Sequence, residues 1–458
     1  MPIYKFFKVI TARLKCFSFS LFFPLLSIVA HQTFADTVYM VDNGGGTVYV
    51  IDTTSNAVTA TVSTTGFTAF TNPIGIAITP DGTTAYVTDQ GNGIVYVIDT
   101  ASHAVTATVS TTGFPAFTAP DQVAITPNGE VAYVTTDDVT VYVISTTTNA
   151  VTTLVSGASP AFFLTIGVAV APNGTVAYVT DRGSHAVYAV DTTSNMVIAT
   201  VSTTGFPNFS RPIRVAITPD SATAYVTDQD NGVYVIDTTS NAVTAIVSTT
   251  GFTSFLDPIG ITITPDGDVS YVADVITNFV YVIDTTTNAV ATTVSNSFTA
   301  FSGPVGVGLT SDGAVLYVAD ETNPVVYAIN TTSNAVTAVV SNTFTPFVNP
   351  YGVAAIPIAT PPPTPTPLTP KNFRGVQKKV TFLSQYELFN RLTWEANPST
   401  VIVVGYFIYR DNVKIATLNS STFQYEDHNR AKGVTTIYSI TAFDASGNQS
   451  LPSTIRVN

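Results

Sequence analysis

The chain has 458 residues, 45% of them hydrophobic and only 10% charged, with a net charge of −13 and one cysteine, Cys16. That length allows more than one domain and a sizeable buried core. The acidic balance excludes an electrostatic nucleic-acid binder, and a single cysteine excludes a disulfide framework.

Residues 1–35 read as an export signal. Lys5, Lys8, Arg13 and Lys15 make a basic start, residues 16–30 an apolar run, and Thr33-Phe34-Ala35 a small-residue cut before Asp36. The run has the length of a signal core and is short for a membrane span; an uncleaved anchor is the alternative. Cys16 follows Lys15 and does not have the setting of a lipidation site. Cleavage leaves no cysteine and an exported chain that is periplasmic, displayed on the cell surface or secreted.

Residues 47–63, TVYVIDTTSNAVTATVS, open a repeat. Its Val-Tyr core begins at Val48, Val95, Val141, Val187, Val233, Val280 and Val326, a spacing of 46 or 47 residues. Such a period belongs to architectures in which each unit needs its neighbours to bury its faces. VYVID is apolar on both alternating faces and reads as a strand covered on both sides. AVTATVS alternates and reads as a strand with one wet face. Ile74-Gly-Ile-Ala-Ile78, a Thr-Pro-Asp-Gly turn and Ala85-Tyr-Val-Thr-Asp89 complete a four-stranded antiparallel unit.

The first copy lacks its leading strand, and an orphan strand, Tyr351-Gly-Val-Ala-Ala-Ile356, follows the last copy. Three strands from the start and one from the end would complete a seventh unit and leave no open edge. The fold class expected is therefore all-β: a seven-bladed β-propeller over 36–358 with 3+1 strand closure.

The recurring Tyr86-Val-Thr-Asp89, Tyr178-Val-Thr-Asp181 and Tyr225-Val-Thr-Asp228, relaxing to Tyr271-Val-Ala-Asp274 and Tyr317-Val-Ala-Asp320, resemble the YVTN-type β-propeller repeat family. The third copy departs, as Tyr133-Val-Thr-Thr-Asp137. The resemblance implies the fold and an exported or surface setting, and it implies no particular reaction.

A loop with paired phenylalanines, first Phe67 and Phe70, recurs from unit to unit, the fourth deviating as Phe162-Phe163. One ring of each pair either wedges between units or joins a sugar-stacking surface. Residues 359–371 form a Pro/Thr-rich linker, extended and semi-rigid. Residues 372–458 resemble a fibronectin type III domain, a β-sandwich, through Leu392-Thr-Trp394, Gly405-Tyr-Phe-Ile-Tyr409 and Tyr438-Ser-Ile-Thr-Ala442. The resemblance implies Trp394 as core centre and Tyr438 as a corner tyrosine. Charge is divided unevenly: residues 36–370 carry a net −21, with Arg182, Arg211 and Arg214 their only cations, whereas residues 371–458 carry +4.

In a repeat, residues that break the pattern are the candidates for function. These are Asp121 and Gln122, Arg211 and Arg214, and Asp257 at the entries to leading strands, with Arg182 and His185 at a second-to-third strand turn. Propeller topology would bring these loops to one face around the channel mouth, where arginines could grip a carboxylate or phosphate in two-toothed fashion. The alternative pairs Arg182, Arg211 and Arg214 with Asp181, Asp257 and Asp121 in a structural rim. No cofactor and no metal are expected: Asp228-Gln-Asp230-Asn-Gly232 lacks the distal glutamate of a calcium loop, and His103 stands where other copies have a turn asparagine. The expected function is an exported surface or periplasmic binding protein that recognises a protein or glycan at one face. A lactonase- or lyase-like enzyme at the channel mouth and a surface-layer structural component are the alternatives.

Overall fold

The computed structural model describes residues 37–157, 161–357, 369–395, 403–411, 413–444, 449–450 and 452–458. The expected export signal and most of the expected Pro/Thr-rich linker lie outside the described residues. Among those residues the secondary structure is all β, and no helix is long and apolar enough to cross a membrane.

Between Thr37 and Ala355 the chain forms seven four-stranded antiparallel sheets, numbered here by their place in the sequence. Sheets two to seven run in strand order along the chain, beginning at Pro73, Pro120, Thr165, Pro212, Pro258 and Pro304. The first sheet is composite. Its strands Thr37–Asp42, Thr47–Asp52 and Ala57–Thr61 are joined by Pro350–Ala355, with Val38 opposite Ala355 and Met40 opposite Val353. The leading strands of neighbouring sheets pack in succession, and that of the seventh meets Pro350–Ala355, which in turn meets Pro73–Ile78.

Local chemistry explains why each unit turns where it does. Asp52 Oδ1 accepts hydrogen bonds from the Ser55 amide and hydroxyl, both at 2.7 Å, and Asn56 takes the left-handed φ of 50° that closes the hairpin. Asparagine is one of the few side chains that tolerate that conformation. The Thr-Pro-Asp-Gly turn is held by Thr79 Oγ1 donating to Asp81 Oδ1 at 2.6 Å, with Gly82 at φ +72°.

Three devices join one sheet to the next. Each core cluster mixes two sheets: Tyr39, Val41 and Val50 of the first pack with Ala85, Val87 and Tyr96 of the second. The segment after each outer strand bridges to the next outer strand, from Ser63–Ala104 round to Ser341–Ala57. The tyrosine of each second strand donates to the turn asparagine of the next sheet, as Tyr86 to Asn149 at 2.5 Å and Tyr317 to Asn56 at 2.7 Å. His103 fills that asparagine's place once, at φ 52°, with its Nδ1 2.6 Å from the Tyr39 hydroxyl.

The paired phenylalanines divide their work. The inner ring lies against a third-strand tyrosine, Phe70 on Tyr96 at 4.6 Å and Phe347 on Tyr49 at 5.0 Å, inside the inter-sheet cores. The outer ring is exposed at Phe67, Phe252, Phe298 and Phe344 and half-buried against the core at Phe114 and Phe206.

The aspartate ending each second strand is fully buried yet satisfied. Asp89 accepts from the amides of Thr71, Asn72 and Asn92 at 2.7, 3.1 and 3.0 Å, and so clamps the loop that leads into the leading strand. In the third sheet Thr136 takes this place and donates to Asp138 and the Thr140 carbonyl instead.

Residues 373–457 form two further sheets, Arg374–Phe382, Gln385–Thr393 and Gln424–Asp427 in one and Val403–Arg410, Val413–Asn419, Thr436–Asp444 and Ser453–Val457 in the other. They share a core of Leu392, Trp394, Tyr406, Ile408, Tyr438 and Ile440. The Tyr438 hydroxyl donates to Asp427 at 2.5 Å and accepts from Asn390 at 3.0 Å, so its partners are side chains and not backbone.

Candidate functional site

Six of the seven leading strands start from proline, Thr165 starting the other, and the two residues that follow line the centre. The first of the two is Ile74, Asp121, Ile166, Ile213, Ile259, Val305 and Tyr351; the second is Gly75, Gln122, Gly167, Arg214, Gly260, Gly306 and Gly352. Glycine is demanded here by crowding, since a Cβ on Gly306 would lie 1.5 Å from the Tyr351 carbonyl oxygen. Against this apolar background four residues break the pattern, Asp121, Gln122, Arg214 and Tyr351, and the fold brings all four to the centre.

Arg214 Nη1 meets Asp121 Oδ1 at 2.8 Å and the Ile166 carbonyl at 3.3 Å, and its charge is felt by the Tyr351 phenol. Arginine from the fifth sheet thereby reaches the third sheet and the composite first. The second Asp121 oxygen accepts from Gln90 Nε2 at 3.3 Å. Both members of the ion pair are buried. Burial pushes the Asp121 carboxyl up, with Arg214 opposing it; burial acts to lower Arg214, and Asp121 and Tyr351 outweigh it. Burial likewise raises the Tyr351 phenol. Arg214 and Tyr351 line a cavity of about 90 Å³ with Gln122 and otherwise mostly aliphatic walls, to which all seven leading strands contribute.

A polar collar surrounds it. The residue after each second strand, Asn43, Gln90, Asp137, Arg182, Gln229, Val275 or Glu321, donates its amide to the carbonyl just before a leading strand, for example Arg182 to Leu164 at 2.9 Å and Glu321 to Gly303 at 2.9 Å. The backbone is thus alike seven times and only the side chains differ. Gln229 Nε2 donates to Asp257 Oδ1 at 2.6 Å, while its buried Oε1 has no partner. Burial pushes up the Asp257 and Glu321 carboxyls, and the charge of Asp257 raises Glu321 further. The Arg182 charge pulls Asp137 and Asp257 the other way.

The structural rim expected from the sequence is corrected in two of its three pairs. Arg214 does pair with Asp121. Arg211 instead grips Asp230 with two bonds, Nε to Oδ2 at 2.8 Å and Nη2 to Oδ1 at 2.6 Å, on the surface, because Asp257 is held by Gln229. Asp181 is occupied by the amides of Phe163, Leu164, Gly183 and Ser184, so it serves its own loop in place of Arg182. His185 bonds the Ser210 carbonyl and lines a separate groove with Ser184, Thr203 and Asn208. The centre therefore gathers Asp121, Gln122 and Arg214, the collar holds Arg182 and Asp257, and Arg211 and His185 face elsewhere. Tyr351, Gln229 and Glu321 were missed by sequence reasoning. Aligning the leading strands position by position exposes Tyr351, where the other copies have an aliphatic residue or Asp121.

Among the described residues no group of three or more His, Cys, Asp or Glu is arranged to hold a metal ion. Asp228 accepts from the amides of Ser210, Asp230 and Asn231, and so acts as a loop clamp like Asp89.

No family model matches the chain, and no curated protein matches it. Solved structures do. Over 62% of this chain and 89% of the other, it superimposes on hydrazine synthase of Kuenenia stuttgartiensis with a TM-score of 0.50 at 19% identity. Over 70% of this chain and 99% of the other, it superimposes on a protein of unknown function from Desulfotomaculum acetoxidans with a TM-score of 0.56 at 15% identity. The likeness is one of fold. With the repeated four-stranded sheets, it defines a propeller-like all-β protein.

Proposed function

We propose that residues 36–358 are a seven-bladed β-propeller of the YVTN type with 3+1 closure, followed by a fibronectin type III-like sandwich at 372–458. We read the whole as an exported, surface-displayed or periplasmic binding protein. Its ligand, a peptide segment or glycan presenting both hydrogen-bond donors and acceptors, sits on the collar of Gln90, Asp137, Arg182, Gln229, Asp257 and Glu321.

One observation carries this reading: side chains that break a sevenfold pattern gather at the centre and on the collar around it. The Asp121–Arg214–Tyr351 bar is the rigid floor beneath. Its charges already satisfy one another, which suits a support better than a reacting group. The enzyme alternative loses ground because His185 faces another groove. Collar groups of both signs suit a neutral or zwitterionic ligand, recognised by hydrogen bonds more than by net charge.

The experiment is a screen of the exported chain on immobilised glycans and envelope proteins, with Arg182→Ala/Gln229→Ala beside it. The expected result is a hit weakened at least tenfold by the double variant. A hit that both proteins bind equally would remove the collar from consideration.

A further inference from the structure

The C-terminal domain carries a hairpin that its own core does not need. Strands Arg374–Phe382 and Gln385–Thr393 pair along their full length, but the third strand of that sheet pairs only with residues 390–393. Residues 387–389 are still covered by residues 428–430, with Phe389 buried on His428, but the tip beyond them meets solvent: Lys378, Lys379, Val380, Phe382 and Tyr386 are exposed, and Leu383 is fully so. Leu383 also takes the turn position with φ +53°, where asparagine or glycine is the unstrained choice. A leucine placed in both a disfavoured conformation and full exposure breaks two local rules at once, the mark of a residue kept for contact. Lys379 Nζ lies 4.3 Å from the Tyr386 ring centre, and neither lysine has an ion pair among the described residues.

A complementary surface occurs in the sheet array. At one corner of the sixth sheet the amides of Leu256 and Ile276 both donate to Asp274, and Phe279 stands opposite Asp274 in the strand register. All three side chains are exposed, at 54%, 58% and 38%. The matching corners read Thr71 and Gly91, Thr118 and Asp138, Phe163 and Gly183, Ser210 and Asp230, Ser302 and Thr322, and Val348 and Gly44; Phe163 and Val348 are exposed singly, and the sixth sheet alone gathers an apolar trio. Asp257 adjoins Leu256 in sequence, and its charge is felt by Glu321 of the next sheet. A basic, apolar tip and an acidic, apolar corner thus exist on one chain, whose residues 36–370 carry a net −21 and residues 371–458 a net +4.

We propose that the hairpin tip of one copy docks on the sixth-sheet corner of a second copy, with Phe382 and Leu383 against Leu256, Ile276 and Phe279, and Lys378 and Lys379 toward Asp257 and Glu321. Tip and corner are different surfaces, so the contact is head-to-tail and leaves a free tip and a free corner at the ends, which permits open-ended growth. A hairpin tip buries less area than a stable interface needs, so the association is of the weak class, with a dissociation constant on the order of micromolar. The docking shares Asp257 and Glu321 with the collar, but its apolar contacts lie outside it, so loss of assembly in the surface variants and loss of ligand binding in Arg182→Ala/Gln229→Ala are read separately.

The test uses the full chain with Cys16→Ser, which removes its one cysteine. Sedimentation velocity over a concentration series is expected to show growing assemblies. Phe382→Ser/Leu383→Ser and, separately, Leu256→Ser/Ile276→Ser weaken them at least tenfold. Mixing a Leu383→Cys chain with an Ile276→Cys chain gives an interchain disulfide faster than mixing it with Thr322→Cys at the matching corner of the seventh sheet. A monomer at every concentration, assembly indifferent to either surface variant, or equal crosslinking to both corners would overturn the proposal. So would an intrachain disulfide as the main product in a dilute chain carrying both cysteines, or hairpin-dependent binding to phosphatidylglycerol vesicles without self-association.

Discussion

Arg214 shows how one side chain can be both an exception to a repeat and a support for it. Glycine stands at its position in five of the other six strands, because neighbouring strands approach too closely for a Cβ. An arginine is tolerated only because its length carries the charge to Asp121 and Tyr351. Removing one partner of a buried pair strands the other, typically at about 3–5 kcal/mol, whereas replacing both with apolar groups can be neutral. Asp121→Leu should therefore lower the unfolding free energy by about 3 kcal/mol, and Asp121→Leu combined with Arg214→Met should recover most of it. Urea denaturation of the three proteins checks this, and additive losses would show that the pair is not coupled. The residue scale is also where the sequence was least legible. Arg211 and Asp257 are adjacent to the centre in sequence pattern, yet each had a nearer partner, Asp230 and Gln229, that no spacing rule selects. Tyr351 was legible in principle, since its place in the strand pattern is unambiguous once the copies are aligned.

The strands themselves were far easier to read, because seven repetitions average out local ambiguity and both-face apolarity leaves few alternatives to a covered strand. Alternation could not reveal the seam between sheets, where the tyrosine of one unit meets the turn asparagine of the next. Tyr86→Phe removes one such bond and leaves Asn149 Oδ1 short of its donor, and should cost about 1 kcal/mol. One seam differs, because His103 replaces the asparagine. Burial holds the His103 imidazole below its ordinary pKa, against a weaker upward pull from Asp99. A depressed histidine is neutral in the folded state and binds protons more readily when unfolded. Its stabilising effect is thus present above the unfolded pKa of about 6.5 and lost as pH falls through the folded value. The drop in melting temperature from pH 7.5 to pH 5 should accordingly be smaller in His103→Asn than in the parent. Identical drops would mean that this seam does not titrate.

At the scale of the whole molecule, everything proposed about the collar depends on the sheets closing into a ring. Neighbour-only contacts make the ring as weak as its one composite sheet, where three strands from the start of the array meet one from its end. The charge contrast between the two ends of the chain belongs to this scale too. It was plain from composition, while the exposed tip and corner that give it a possible target emerged only from burial. The most direct measurement is a disulfide across the closure. Val38 and Ala355 are opposite one another in the composite sheet, so Val38→Cys/Ala355→Cys in a Cys16→Ser background should oxidise within one chain, read by intact mass and by mobility on a non-reducing gel. Because the bond closes a loop of over 300 residues, it should also stabilise the oxidised protein by about 5 kcal/mol over the reduced form. Two free thiols under oxidising conditions, or disulfides formed only between chains, would contradict the closed ring and with it the site at its centre.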